Sequence, residues 1–230
     1  MRKAAWLILV TLLSSGGIGA QSWPESAPDY AKLHFIDKLM RQMTVEEKIG
    51  QLRLNCIGAQ SPREQLLEEA GASTLGGIFY AVGRSELREF QDAALRSRLK
   101  IPLFFAYDVI HGHRTLFPIG LGLASTWDTD AIALSGRIAA KEASADGLDM
   151  VFSPMVDIAR DPRWGRASEG WGEDTYLSAR YTESMVNALQ GATLDAAGNV
   201  MASAKHFALY GAAEGGRDYN TVDMSLPRMY

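Results

Sequence analysis

Cysteine is almost missing: Cys56 is the only one in 230 residues, so no internal disulfide can form and stability must come from packing. It lies in a helix-like run with no histidine beside it, which reads as a buried structural thiol and not a nucleophile. Basic clusters are missing too. The 23 Lys and Arg face 27 Asp and Glu, a net charge of −4, which removes nucleic acid from the candidate partners. The apolar run Ala4 to Leu13 is too short to span a bilayer. Internal repeats and low-complexity segments are also absent.

What is present first is a leader. Arg2 and Lys3 form a charged end, Ala4 to Leu13 an apolar run and Ser14 to Ala20 a small-residue tail, the pattern of a secretory signal cleaved after Ala20. Its removal takes two cations from the 23, leaving 21 against 27 acids and a net charge of −6. The mature product is expected to be acidic, soluble and exported, to the periplasm or beyond, with no membrane attachment. The remaining chain divides into a segment with a helix at 21–43 and one domain at 44–230. Its composition, 47% hydrophobic with 22 glycines, is that of a globular protein with a real core.

Apolar spacing at Leu33, Ile36, Leu39, Met40 and Met43 predicts a helix over 29–43. Thr44 and Glu47 form a capping box opening a second helix through Leu54. Pro62 starts a third, stopped by Gly71. Four strands follow, at 76–80, 101–108, 150–154 and 200–207. Between them lie helices at 85–99, from Asp128 to Asp146 with Gly147 as its stop, and at 175–190 after Asp174. Ser225 and Pro227 begin a last helix. Strands without polar alternation are buried on both faces, as in a parallel α/β sheet. Four strands cannot close a barrel, so the chain reads as C-terminally truncated.

The chemistry collects in loops after strands, where parallel sheets bind ligands. The richest is Asp161 to Asp174, DPRWGRASEGWGED: Arg163 and Arg166, two tryptophans, three glycines, and the carboxylates Asp161, Glu169, Glu173 and Asp174. Tryptophan faces suit the apolar faces of sugar rings, and arginine and carboxylate forks suit their hydroxyls. A surface loop held by its own ion pairs fits that composition equally well. Asp108 ends the second strand and Lys205-His206 the fourth. The pair His111 and His113 lacks a third ligand, which is weak support for a metal site; His111 reads as loop-shaping near the pocket. Glu173 and Asp174 read as helix-terminus charges.

AYDVIHG (106–112), DPRWGRASEGWGED (161–174) and SAKHFALYG (203–211), each ending a strand, together resemble the N-terminal domain of glycoside hydrolase family 3, most closely its exported bacterial β-glucosidases. MTVEEKIGQL, FPIGLGLAS and EGGRDYNTVDMS extend the resemblance from about residue 30 to Tyr230. It implies an incomplete (β/α)8 TIM-type barrel, and retaining hydrolysis of β-glucosides by a carboxylate nucleophile and a carboxyl acid/base. It implies that Asp108 accepts hydrogen bonds from sugar hydroxyls, that Arg166 donates to a neighbouring one, and that Lys205 and His206 form a donor pair. No cofactor is implied. The ligand is a β-glucoside or oligosaccharide. In the family the nucleophile lies in a later Ser-Asp motif and the acid/base in a second domain, so neither is expected in this chain, and the isolated fragment is expected to be inactive.

From the residues themselves, Asp108 could instead pair with Arg114, and Arg163 could be the ligand with Arg166 the partner of Glu169. Adjacent strand residues point to opposite faces. If Lys205 and His206 both reach one sugar, a bulge or a non-proline cis peptide is expected near them. The N-acetylhexosaminidase branch is set aside because Phe207 is followed by no histidine. A β-xylosidase of the same family, or a non-catalytic carbohydrate-binding fragment, remains as an alternative.

Overall fold

The computed structural model describes residues 29–81 and 83–229; the proposed leader at 1–20 lies outside them. By their internal contacts the residues divide into two units, meeting at Arg41 and Gln42. The described part of the first, residues 29–41, holds all but the last residue of helix α1 (Tyr30–Gln42). Asp29 opens it by accepting from the Lys32 N–H at 3.0 Å, and Arg41 pairs with Asp37 at 2.8 Å in its last turn.

The second unit runs α2 (Val45–Gln51), β1 (Leu54–Cys56), α3 (Arg63–Gly71), β2 (Gly77–Phe79), α4 (Arg84–Arg96), β3 (Phe104–Tyr107), α5 (Gly120–Ala124), α6 (Thr129–Asp146), β4 (Met150–Val151), α7 (Thr175–Gln190), β5 (Met201–Ala202) and α8 (Leu226–Met229). All five strands are parallel and lie in chain order, with Leu54 beside Gly77, Gly77 beside Phe104, Ala106 beside Met150 and Met150 beside Met201. Every crossover therefore steps the same way. A doubly wound sheet would reverse once, so this is an arc of a (β/α)8-type barrel.

The sequence reading is corrected at its start. It carried the second helix through Leu54 and counted four strands; the helix stops at Gln51 and a fifth strand begins at Leu54. Two contacts force the change. A Cβ on Gly50 would lie 2.5 Å from the Thr74 backbone, so the helix end is clamped there. Leu54–Cys56 then pairs with Gly77–Phe79. Three residues are too few to show a period, so pairing and not propensity makes this strand. Cys56 accordingly sits on β1 and is half-buried, not in a helical core.

The remaining boundaries follow their local signals. Both arms of the capping box form: the Thr44 N–H donates to Glu47 Oε2 at 2.8 Å and the Glu47 N–H to Thr44 Oγ1 at 3.2 Å. Asp128 accepts from the N–H groups of Asp130 and Ala131 to open α6. Gly147 closes it with φ 95°, a left-handed turn that only glycine adopts without strain. Asp174 Oδ1 takes the Leu177 N–H at 2.8 Å to open α7. Ile78, Phe105 and Val151 from the strands pack with Leu66, Phe90, Ile132 and Leu189 from the helices into one core. That packed wall fixes where the strand ends point.

Candidate active site

The strand ends converge. Asp108 follows β3 directly; its Oδ1 accepts from Lys205 Nζ at 2.6 Å, and its Oδ2 accepts from the Tyr80 hydroxyl. Tyr80 itself follows β2. The hydrogen bond to Asp108, then partial burial and the carboxylate charge, push the Tyr80 phenol up to about 12. Asp108 and Lys205, with Arg166 and Glu169, line a cavity of about 360 Å³ whose apolar wall is Ile110 and Ile119. His111 borders it too, and its Nδ1 lies 2.9 Å from the Phe117 carbonyl, the loop-shaping part expected of it.

Arg166 comes from the loop after β4. Its Nε and Nη2 each donate to Glu169 at 2.7 Å, a planar fork. Those bonds come first among the causes that raise its affinity for its proton above the ordinary arginine range. Nη1 is turned elsewhere, 3.3 Å from His206 Nε2. The guanidinium also lies 5.6 Å from the centre of the Tyr210 ring, a cation–π contact.

The ladder is irregular at Lys205 and His206. The Lys205–His206 peptide is cis, as is Phe207–Ala208. Pairing with the β4 side continues past the regular strand: the Lys205 N–H donates to the Pro154 carbonyl at 3.1 Å and the Val156 N–H to the Lys205 carbonyl at 2.7 Å. Of the four residues singled out from sequence, Asp108, Arg166 and Lys205 line the cavity, and His206 meets it through Arg166.

The alternatives resolve in turn. Arg114 goes to Asp146, not to Asp108, with its Nε 3.0 Å from Asp146 Oδ2. Arg163 bonds Asp161, its Nη2 at 2.6 Å, and stays largely exposed outside the cavity. Arg166 fills both parts imagined for the two arginines: it borders the cavity and pairs with Glu169. His113 Nε2 lies 2.8 Å from Asp146 Oδ2, and among the described residues no group of three or more His, Cys, Asp or Glu is placed to hold a metal.

The tryptophans correct the sequence reading. Neither offers a face to a sugar: Trp164 and Trp171 are only 2% and 7% exposed. Trp164 donates its indole N–H to Asp218 at 3.0 Å and packs edge-on against Tyr210, while Trp171 packs against Tyr181. They anchor the loop to the core, where the burial of a large apolar ring outweighs stacking on a solvated ligand.

Three residues that sequence reasoning passed over join Glu169 in completing the site: Tyr80, Asp157 and Tyr210. Tyr80 obeys the rule that found Asp108, being the residue just past a strand. Asp157 is a carboxylate set in the apolar run MVFSPMVDIA, a signal in itself. Tyr210 carries no such mark.

The loop ion pairs set an acid limit. Bonds from Arg163 hold the Asp161 carboxyl down at about 2. The Tyr210 hydroxyl and then the Trp164 N–H hold Asp218 below the usual carboxylate range. Both are depressed in the folded state and near 3.9 when unfolded, so their contribution is present above about pH 4 and is lost as pH falls below it, for Asp161 toward about 2. The emission of Trp164, taken as the difference from a Trp164→Phe variant, is expected to change in that window. A signal constant down to pH 2 would contradict this.

Comparison with known proteins agrees with the geometry. The model of the glycosyl hydrolase family 3 N-terminal domain matches residues 44–230. The chain is 55% identical over 197 residues to the periplasmic β-glucosidase of Salmonella typhimurium, covering 85% of this chain and 26% of that protein. It is 34% identical over 151 residues to a β-xylosidase of Formosa agariphila, covering 60% of this chain and 21% of that one. The β-glucosidase of Listeria innocua, solved in complex with isofagomine, superposes with a TM-score of 0.76 at 36% identity, over 86% of this chain and 29% of that one. The chain thus spans about a quarter of the length of these relatives. With parallel strands in barrel order, a polar cavity at their carboxyl ends and this match over 187 of its residues, 44–230, the chain belongs to glycosyl hydrolase family 3.

Proposed function

We propose that the protein carrying this chain is an exported, retaining, exo-acting β-glucosidase that removes terminal non-reducing β-D-glucosyl residues. In this reading, residues 44–230 are part of its barrel domain and supply the glucosyl-binding wall. The observation that carries the reading is the Asp108–Lys205 pair at 2.6 Å beside the Arg166–Glu169 fork in one cavity of about 360 Å³. A carboxylate with acceptor capacity on both oxygens can take two neighbouring hydroxyls, and Lys205 and Arg166 supply fixed donors. Such donors and acceptors accelerate reaction when their bonds tighten as the ring flattens toward an oxocarbenium-like transition state.

The nucleophile and the acid/base are assigned to residues outside this sequence, which holds no Ser-Asp dipeptide. Export is supported by the leader-like 1–20 segment and by the periplasmic naming of the Salmonella relative. The β-xylosidase relative supports a second reading, since a xyloside differs from a glucoside only by the missing hydroxymethyl group.

The test is a substrate panel on the natural protein that carries this chain, with the anomer of the first product read by proton NMR. Release of β-glucose from aryl β-glucosides, faster than xylose from the matching xylosides, is expected. Release of the α-anomer overturns retention, a xyloside preference installs the second reading, and sugar binding without turnover leaves only a binding protein.

A further inference from the structure

His206 stands between two neighbours of opposite hydrogen-bonding character. Asp157 Oδ2 lies 2.8 Å from Nδ1 and 2.9 Å from the His206 backbone nitrogen, and the Asp157 side chain is only 1% exposed. An ionised carboxylate accepts and never donates, so the proton belongs on Nδ1. On the other edge, Arg166 Nη1 lies 3.3 Å from Nε2. A guanidinium donates and never accepts, so Nε2 presents its lone pair. The ring is set edge-on to Tyr210, centroids 5.0 Å apart. A doubly protonated ring would aim an N–H at the Arg166 cation. Asp157 therefore selects a proton on Nδ1, and Arg166 disfavours one on Nε2.

We infer that Asp157 is a positioning residue that fixes His206 as the Nδ1–H tautomer, so that Nε2 meets the sugar as a hydrogen-bond acceptor. The hydroxyl it engages donates to Nε2 while accepting from Arg166. This reverses the donor role that the Lys-His resemblance suggested for His206, and leaves donation to Lys205 and Arg166. The identity of the ligand rests on the β-glucosidase reading; the tautomer does not.

The experiment is nitrogen-15 NMR of the histidine side chains in the natural protein at neutral pH, with a His206→Gln sample to assign the signals, followed by glucose titration in a calorimeter. The expected spectrum has a protonated Nδ1 and a bare Nε2 at His206. Asp157→Ala is expected to populate the Nε2–H tautomer and weaken glucose binding by about tenfold to a hundredfold, the range seen when carboxylates that orient ligand histidines are removed. Asp157→Asn keeps an acceptor oxygen and should recover most of that loss. A wild-type ring carrying its proton on Nε2, or on both nitrogens, overturns the assignment without any variant having to fold. So does an Asp157→Ala protein with wild-type shifts and affinity. The expected tautomer in a protein that binds no glucose upholds Asp157 as the positioning group and overturns the sugar reading instead.

Discussion

Asp108→Asn is expected to lower kcat/KM for aryl β-glucosides by about 10²- to 10³-fold, the scale of losing one preorganised polar group at a reacting centre. Three effects act together. The variant removes the charge that Lys205 Nζ faces at 2.6 Å. It replaces one acceptor oxygen by an amide that donates, so the Tyr80 hydroxyl must turn from donor to acceptor if Lys205 keeps the remaining oxygen. It also halves the acceptor capacity offered to the sugar. Stability should change less than activity, because the pair is only partly buried, with side-chain exposures of 29% for Asp108 and 14% for Lys205. Tyr80 supplies an independent readout. Its phenol, held at about 12 chiefly by the bond to Asp108, should titrate nearer the ordinary value of about 10 in the variant, read by ultraviolet absorbance. An Asn variant with wild-type kcat/KM would remove Asp108 from the sugar-binding wall.

Much of this site was legible because the strands that present it are buried. Unbroken apolar runs such as IPLFFAYD reveal both a parallel strand and its end, so Asp108 and Lys205 could be placed at a carboxyl edge before any contact was known. Caps were legible for a related reason: Thr44, Asp128 and Asp174 act through bonds to residues two or three positions away. What escaped depends on distant partners. β1 exists because Leu54–Cys56 finds Gly77–Phe79, and nothing local distinguishes it from a helix end. The two tryptophans are sugar platforms or core anchors according to which surface they meet, and here they meet Tyr210 and Tyr181. Whether Arg166 or Arg163 borders the cavity is likewise a matter of loop path, since both have a nearby carboxylate and both use it.

Loop path also yields the second large effect, from a residue remote in sequence from the charged groups. Gly120 opens α5 against the 3₁₀ turn at Ala167–Glu169. A Cβ there would lie 2.4 Å from the Glu169 carbonyl oxygen and 2.7 Å from that of Gly170. Both are backbone atoms, so no side chain can rotate away, and the turn must move on the order of an ångström to reach ordinary contact. That turn carries Glu169, and Glu169 grips Arg166 by two bonds of 2.7 Å. Gly120→Ala is therefore expected to cost about 1–3 kcal/mol in thermal unfolding, and to lower kcat/KM by about 10²-fold through a displaced guanidinium. Gly165→Ala is the control. It is the immediate neighbour of Arg166, yet its Cβ would meet nothing within 4 Å and its φ is one that alanine adopts readily. It should be silent in activity, with stability unchanged or slightly raised by the stiffer unfolded chain. If Gly165→Ala is the more damaging of the two, the arginine is held by the local loop conformation and not by the packing of α5 against Glu169.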